Sequence, residues 1–222
     1  MKIEKLKIGI IGAGFIARAV GQLAVKNGHE VMLSNSRGPQ TLGSTRASVG
    51  CKVGTVAEAQ KFGDIVIVAI PLSAYRSIPA EALVGKIVLD ANNYYPGRDG
   101  VIAELERHSI TTSELLAKHL QGARVVKAFN SILARDIEKD ARPSGSPERR
   151  ALPIAGDDVE AKRIATAFHD RIGFDVVDAG VLSEGRRFER ARPCYCKPFD
   201  KVGLKLALED TGPNVAEGSW RN

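Results

Sequence analysis

The sequence predicts an α/β protein of the Rossmann type, a doubly wound and mostly parallel sheet with a small C-terminal extension. Three observations carry this reading. Short apolar runs alternate with stretches of helical periodicity, the pattern of repeated βαβ units. Several of the runs are apolar on both faces, as strands inside a parallel sheet must be. The first run also leads directly into Gly12-Ala13-Gly14-Phe15-Ile16-Ala17, a glycine turn that opens a helix. The 222 residues suffice for one such domain. The expected division is a dinucleotide-binding unit over residues 1–180 and an extension over 181–222.

Residues 5–11 (KLKIGII) read as the first strand. Residues 15–27 place Phe15, Ile16, Ala19, Val20, Leu23 and Ala24 at helical spacing, and Gly28 stops the helix. HEVMLS (29–34) reads as a second strand, Pro39 opens a helix to about Val49, and CKVGT contains a short third strand. Thr55 is the predicted N-cap of VAEAQKF. DIVIVAI (64–70), KIVLDA (86–91) and ARVVKAF (123–129) are further strands, with a helix around 112–120. The Pro- and Gly-bearing stretch 140–151 predicts a loop, either mobile or covering a site. Strands at 151–156 and 174–180 flank a helix at 158–172. A charged helix-like stretch (183–192) and an apolar periodic piece (202–208) follow.

Composition narrows the function. The formal net charge is +6, but aromatic residues are 5% of the chain and the basic residues are dispersed, which argues against nucleic acid and for an anionic small molecule. No apolar run approaches the ~20 residues of a membrane span, so a soluble, cytoplasmic protein without membrane contact is expected. Cys51, Cys194 and Cys196 do not form a disulfide framework, and the Cys194-x-Cys196 pair lacks further ligands for a metal. The four histidines predict surface or structural roles.

The glycine turn is the dinucleotide fingerprint with alanine in third place. Gly12 permits the turn, Gly14 leaves room for a pyrophosphate, and Ala17 lets the helix pack on the strand. About 20 residues on, where a carboxylate would bind the ribose of NAD, stand Ser34, Asn35, Ser36 and Arg37. Hydroxyl donors and a guanidinium suit a 2′-phosphate, so NADP(H) is the expected cofactor. Ala69, Ile70, Pro71 and Leu72 end a strand and are expected to border the nicotinamide, with Tyr75 nearby. Asn92 and Asn93 either hydrogen-bond a carboxamide or hold their own turn. Ala128, Phe129 and Asn130 bring an aromatic ring and an amide to the same edge.

IGIIGAGFIARAV, GHEVMLSNSRGP, VIVAIPL, VLDANN and VVKAFN, in that order, resemble the NADP-dependent deazaflavin (coenzyme F-420) oxidoreductase family. VVKAFN and the later IAGDDVEAKRIA…GFDVVDAG are also similar to the cytosolic reductase domain of the six-transmembrane metalloreductases. The resemblance covers roughly residues 6–190. It implies hydride transfer between NADP(H) and a deazaflavin or a flavin (FMN or FAD), and a homodimer. It also implies cofactor contacts at Gly12–Ile16, Ser34–Arg37 and Ala69–Leu72, with Phe129 and Asn130 near the reacting rings. Phe129 stands where the deazaflavin enzymes tend to carry histidine, which leaves the second substrate open.

Direct hydride transfer between rings needs orientation rather than a side-chain acid, so no catalytic residue is assigned. Arg186, Arg187, Arg190, Arg192 and Lys197 form either a solvated face or a grip on an anionic substrate tail. The other class of function is a non-catalytic NADP(H)-sensing protein that binds the cofactor and moves no hydride.

Overall fold

A computed structural model describes residues 5–211. Residues 1–4 and the end of the expected extension, 212–222, lie outside the described residues. The chain runs β1 (Lys7–Ile11), α1 (Phe15–Lys26), β2 (Glu30–Ser34), α2 (Gly43–Val49), β3 (Lys52–Gly54), α3 (Val56–Phe62) and β4 (Ile65–Val68). After two 3-10 turns come β5 (Ile87–Asp90), α4 (Pro96–Asp99), α5 (Ala103–Glu106), α6 (Thr112–His119) and β6 (Arg124–Lys127). The remainder is α7 (Ala134–Asp140), β7 (Ala151–Gly156), α8 (Val159–Ile172), β8 (Asp175–Asp178) and α9 (Lys201–Glu209).

The eight strands form one sheet in the order β3-β2-β1-β4-β5-β6-β7-β8, the doubly wound arrangement expected. All pairings are parallel except β6 with β7, which is antiparallel. The strands of the first half bury both faces, and two apolar clusters lie one on each side of the sheet. One gathers Ala17, Val20 and Leu23 of α1 with Ala161, Ala165 and Phe168 of α8. The other gathers Leu72, Tyr75, Tyr94, Leu105 and Leu116. A third, around Phe188, Cys194, Leu204 and Leu208, fastens the segment after β8 to Ala151 and Ala155 of β7. Among the described residues no helix is long and apolar enough to cross a membrane.

Helix starts follow side-chain chemistry. Thr55 and Thr111 make complete capping boxes with Glu58 and Glu114, and Asp158 and Asp200 cap α8 and α9. Backbone packing is tightest at β1. A Cβ built on Gly9 would lie 2.0 Å from the carbonyl oxygen of Ala59, so α3 can rest on this strand only over a glycine.

Several expectations change in detail. The predicted helix from Pro39 divides into a 3-10 turn (Pro39–Leu42) and α2. The stretch 183–192 is not one helix: a 3-10 turn ends at Arg187, because Phe188 drops fully into the core. The loop 141–150 is not a site cover. Buried Arg149 ties it to Asp170 and Asp175 at 2.7 and 2.8 Å, and Arg142 N–H donates to Gly173 O. It sits beside Lys26 and Asn27, at the end of α1 away from the glycine turn. Of the surface or structural roles expected for the histidines, His169 takes the structural one: it is fully buried. Its ring stacks on Phe129 at 4.0 Å, and Nδ1 donates to Ala165 O.

Two measurements test this packing. Gly9→Ala should lower the urea unfolding free energy by roughly 1–3 kcal/mol, since neither backbone can give way. Burial pushes His169 down to about 4 from 6.5. The unfolded chain therefore takes up the proton first as pH falls. Stability is complete above about pH 6.5 and declines toward pH 4, by an amount on the order of 3 kcal/mol from this group. Unfolding titrations should show that decline and lose most of it in His169→Phe. His29, also pushed down by burial, would supply the residue of the slope.

Candidate functional site

The strand order reverses its sense between the parallel neighbours β1 and β4, and at such a point a crevice opens outside the carboxyl ends of the strands. A cleft of about 400 Å³ lies there, lined by the glycine turn, Asn35–Arg37, Val56, Ala69–Pro71 and the 3-10 turn bearing Ala74, Ser77 and Ile78. Its floor depends on Gly12. That residue has φ +122°, and a Cβ on it would lie 2.2 Å from Ala69 O, so only glycine lets the β1 and β4 turns meet.

Gly14 then serves as N-cap of α1 with no side chain to offer, and no acidic residue occupies the first turn. The free N–H groups of that turn face a positive dipole end toward open space, since nothing lies within 4 Å of a Cβ placed on Gly14. Arg18 Nε donates to Ala13 O at 2.8 Å, bracing the turn with a cation beside it. The arrangement suits a phosphate-bearing ligand.

The four residues after β2 divide their work. Ser34 does not face the ligand as expected: it is fully buried, and its hydroxyl donates to Ile10 O at 2.9 Å, tying β2 to β1. Asn35 shapes the loop, accepting from Arg37 N–H and donating to Thr41 Oγ1. Ser36 and Arg37 are exposed, and among the described residues neither the Ser36 hydroxyl nor the Arg37 guanidinium has an intramolecular partner. The sequence also leaves no carboxylate there to oppose a second anion.

At the other side Ala69, Ile70 and Pro71 border the cleft as expected. Leu72 and Tyr75 do not. Leu72 is fully buried, and Tyr75 packs inward, its hydroxyl accepting from Arg76 Nε and its ring edge-on to His119. Phe15 and Ile16 do not line the cleft: Phe15 is 84% exposed, and Ile16 packs against the core. Asn92 holds the turn: its Oδ1 accepts from Ile70 N–H at 3.0 Å. Asn93 Nδ2 donates to Asn130 O, and Asn130 Nδ2 donates to Phe188 O, so both amides fasten loops. Ala128 and Phe129 are buried. Phe129 has φ +60°, which turns its ring into the core against His169 rather than toward the cleft.

The C-terminal arginines mostly have partners. Arg186 and Arg187 share Glu184, and Arg190 lies over the Tyr95 ring at 4.6 Å, with Arg98 at 4.7 Å from the same ring. Tyr95 and Tyr195 hydroxyls are 2.9 Å apart. A buried charge cluster escaped the sequence reading altogether: Asp90, Lys127 and Glu189, all at most 4% exposed. Burial pushes the Asp90 carboxyl up, against the pull of Lys127. Its signal was Lys127 inside the apolar run VVKAF, a charge that a buried strand tolerates only beside an opposite one.

Comparison with known proteins agrees with this geometry. Residues 7–94 match the family "NADP oxidoreductase coenzyme F420-dependent". The metalloreductase STEAP3 of Rattus norvegicus is 32% identical over 209 residues, which is 92% of this chain. The chain spans 40% of the length of that curated relative. Among solved structures, a hypothetical protein from Sinorhizobium meliloti superposes with TM-score 0.77 and 28% identity over 89% of this chain and 96% of its own. A proposed F420-dependent NADP reductase from Arthrobacter sp. FB24 shares the fold, with TM-score 0.68 and 21% identity over 92% of this chain and 90% of its own. Residues 7–94 thus carry the pattern of the F420-dependent NADP oxidoreductase family, and over most of its length the chain is similar to the metalloreductase.

Proposed function

We propose that the protein binds NADP(H) in the cleft between β1 and β4 and transfers a hydride between it and a deazaflavin (coenzyme F-420) or a flavin. The observation that carries the cofactor is the pairing of an uncapped α1 N-terminus with an unpartnered Arg37 at the end of β2. Pyrophosphate would take the first-turn N–H groups, and a 2′-phosphate would take Ser36 and Arg37. The family pattern matched by residues 7–94, described as an NADP oxidoreductase, supports the same choice.

When bound, the dinucleotide supplies the hydride, and the chain supplies position. Gly12 and Ala69 fix the spacing of the two strand ends, and Arg18 holds the turn between them. Ile70 and Pro71 form an apolar wall that excludes water from one side of the nicotinamide end. The acceptor ring would approach from the edge carrying Asn93, Tyr95 and Tyr195, where Arg98 and Arg190 add positive charge. No side-chain acid is assigned to the transfer. A homodimer, a unit boundary near residue 180 and a cytoplasmic address belong to the same proposal.

Arg37→Ala should raise the dissociation constant for NADPH by about 10- to 150-fold, the equivalent of about 1.5 to 3 kcal/mol for charge-assisted bonds, and leave NADH within about threefold. Equal losses for both would make residues 35–37 an ordinary turn. An acceptor screen with deazaflavin, FMN, FAD and ferric chelates separates the functions. NADPH oxidation with a deazaflavin or flavin supports the reductase. Tight NADPH binding without turnover on any of them would point to the sensing alternative.

A further inference from the structure

Asn92 sits where three strand ends meet, and every polar arm it uses reaches a different one. Its Oδ1 accepts from Ile70 N–H (3.0 Å), just past β4. Its N–H donates to Asp90 Oδ1 (3.0 Å), at the end of β5, and its carbonyl accepts from Lys127 Nζ (3.2 Å), at the end of β6. Ile70 N–H has no strand partner, since β4 ends at Val68, so the Asn92 side chain is what holds it. Ile70 is also a wall of the cleft.

Lys127 is itself fully committed. Its three N–H groups reach Asn92 O, Thr112 Oγ1 (2.7 Å) and Ser113 Oγ (3.2 Å). Those hydroxyls pass the charge on: Ser113 donates to Asp90 Oδ2 and Thr112 to Glu189 Oε1, both at 2.6 Å. The ammonium stays 3.8 and 3.6 Å from the two carboxylates, so the hydroxyls mediate both ion pairs. Thr112 N–H also donates to Glu189. The segment that carries Glu189 lies directly over the lysine stem, for a Cβ on Gly185 would come within 2.8 Å of Lys127 Cδ. A residue of the C-terminal segment is therefore linked to a cleft wall through a continuous buried chain of hydrogen bonds.

We infer that Asn92 is a positioning residue for the dinucleotide cleft, and that the seating of Glu189 on Thr112 and Lys127 governs it. The inference rests on the proposed NADP(H) reading for its binding consequence, but the link itself is independent of any ligand. When Glu189 is seated, Lys127 is fixed, the Asn92 carbonyl is fixed, and the Ile70 wall stands where the cofactor would meet it. When Glu189 is removed, Thr112 loses both its bonds to that carboxylate and keeps the one from Lys127, and the chain slackens toward Ile70. The C-terminal segment thus becomes part of cofactor recognition without touching the cofactor.

Hydrogen exchange of the Ile70 amide in the free protein, resolved by NMR, tests the link. Asn92→Ala should speed that exchange at least tenfold, and Asn92→Asp, which keeps the acceptor, should restore most of the protection. Glu189→Ala should also speed it at least threefold, while Glu189→Gln, which keeps an acceptor for Thr112, should not. Should Glu189→Ala fail to fold, Thr112→Val removes the same relay and carries the same expectation. Unchanged Ile70 protection in Glu189→Ala, or in Thr112→Val, would overturn the inference. In parallel, NADPH titration, run below the unfolding transition of each variant, should show weaker binding for Asn92→Ala and Glu189→Ala. Wild-type protein that fails to bind NADPH would refute the proposed function and leave the exchange result to judge the link. Wild-type binding with no change in these variants would overturn the link's role in the cleft alone.

Discussion

Backbone contact around β1 is the constraint on which the rest of the molecule depends. Gly9 lets α3 press on the strand, and three residues later Gly12 lets the β4 turn close on it. Either contact with a Cβ in place would force elements apart by more than an ångström, since the clashing atoms are carbonyl oxygens and not flexible side chains. Their separation sets the width of the cleft. The meeting of the β1 and β4 turns is thus built from main chain, with small side chains such as Ala13, Ala69 and Ala74 beside it. A site made this way has little freedom to adjust and recognises a ligand by where its phosphates can go.

How the chain satisfies helix ends points to the same place. α3, α6, α8 and α9 each begin with a side chain that accepts a backbone N–H. α1 begins with glycine and has no side-chain cap, although at 12 residues it is longer than three of those four. Leaving those donors unmet costs stability in the free protein, about as much as the caps elsewhere contribute. α2, α4, α5 and α7 also lack a side-chain cap, but none exceeds seven residues, so α1 is the longest described helix left uncapped, and its N-terminus opens on the cleft. Every other described helix of eight residues or more carries such a cap, a contrast that adds to the glycine pattern.

Legibility in the sequence followed the range of the interactions. The strands of the first half, the Thr55 cap and the fingerprint turn are decided by neighbours a few residues apart, and they emerged with small shifts at their ends. Ser34 and Phe129 were misplaced for a different reason. Each stands at a strand end where one dihedral angle decides between core and crevice, and the residue type does not disclose it. Ser34 turns in to bond Ile10 O, and Phe129 adopts φ +60° and stacks on His169, 40 residues away. The cluster of Asp90, Lys127 and Glu189 spans a still longer separation. Lys127 within VVKAF betrayed a buried charge, but nothing near Glu189 distinguishes it from the exposed charges around it.

Charge shows the same division between what a composition reveals and what a fold assigns. A net +6 names no binding surface. Many of the basic residues are engaged: Arg149 and Arg150 with aspartates of the α7–β8 region, Arg186 and Arg187 with Glu184, Lys127 in its hydroxyl relay. An ion-paired guanidinium has already given up part of its hydration and most of its unscreened field, so it attracts an incoming anion weakly. Arg37 keeps both. It stands on a loop already stiffened by Asn35, Thr41 and Gln40, which means that little ordering entropy remains to be lost when an anion arrives. Recognition at this end of the cleft is therefore set less by how many positive charges the chain carries than by which one the fold leaves without a partner.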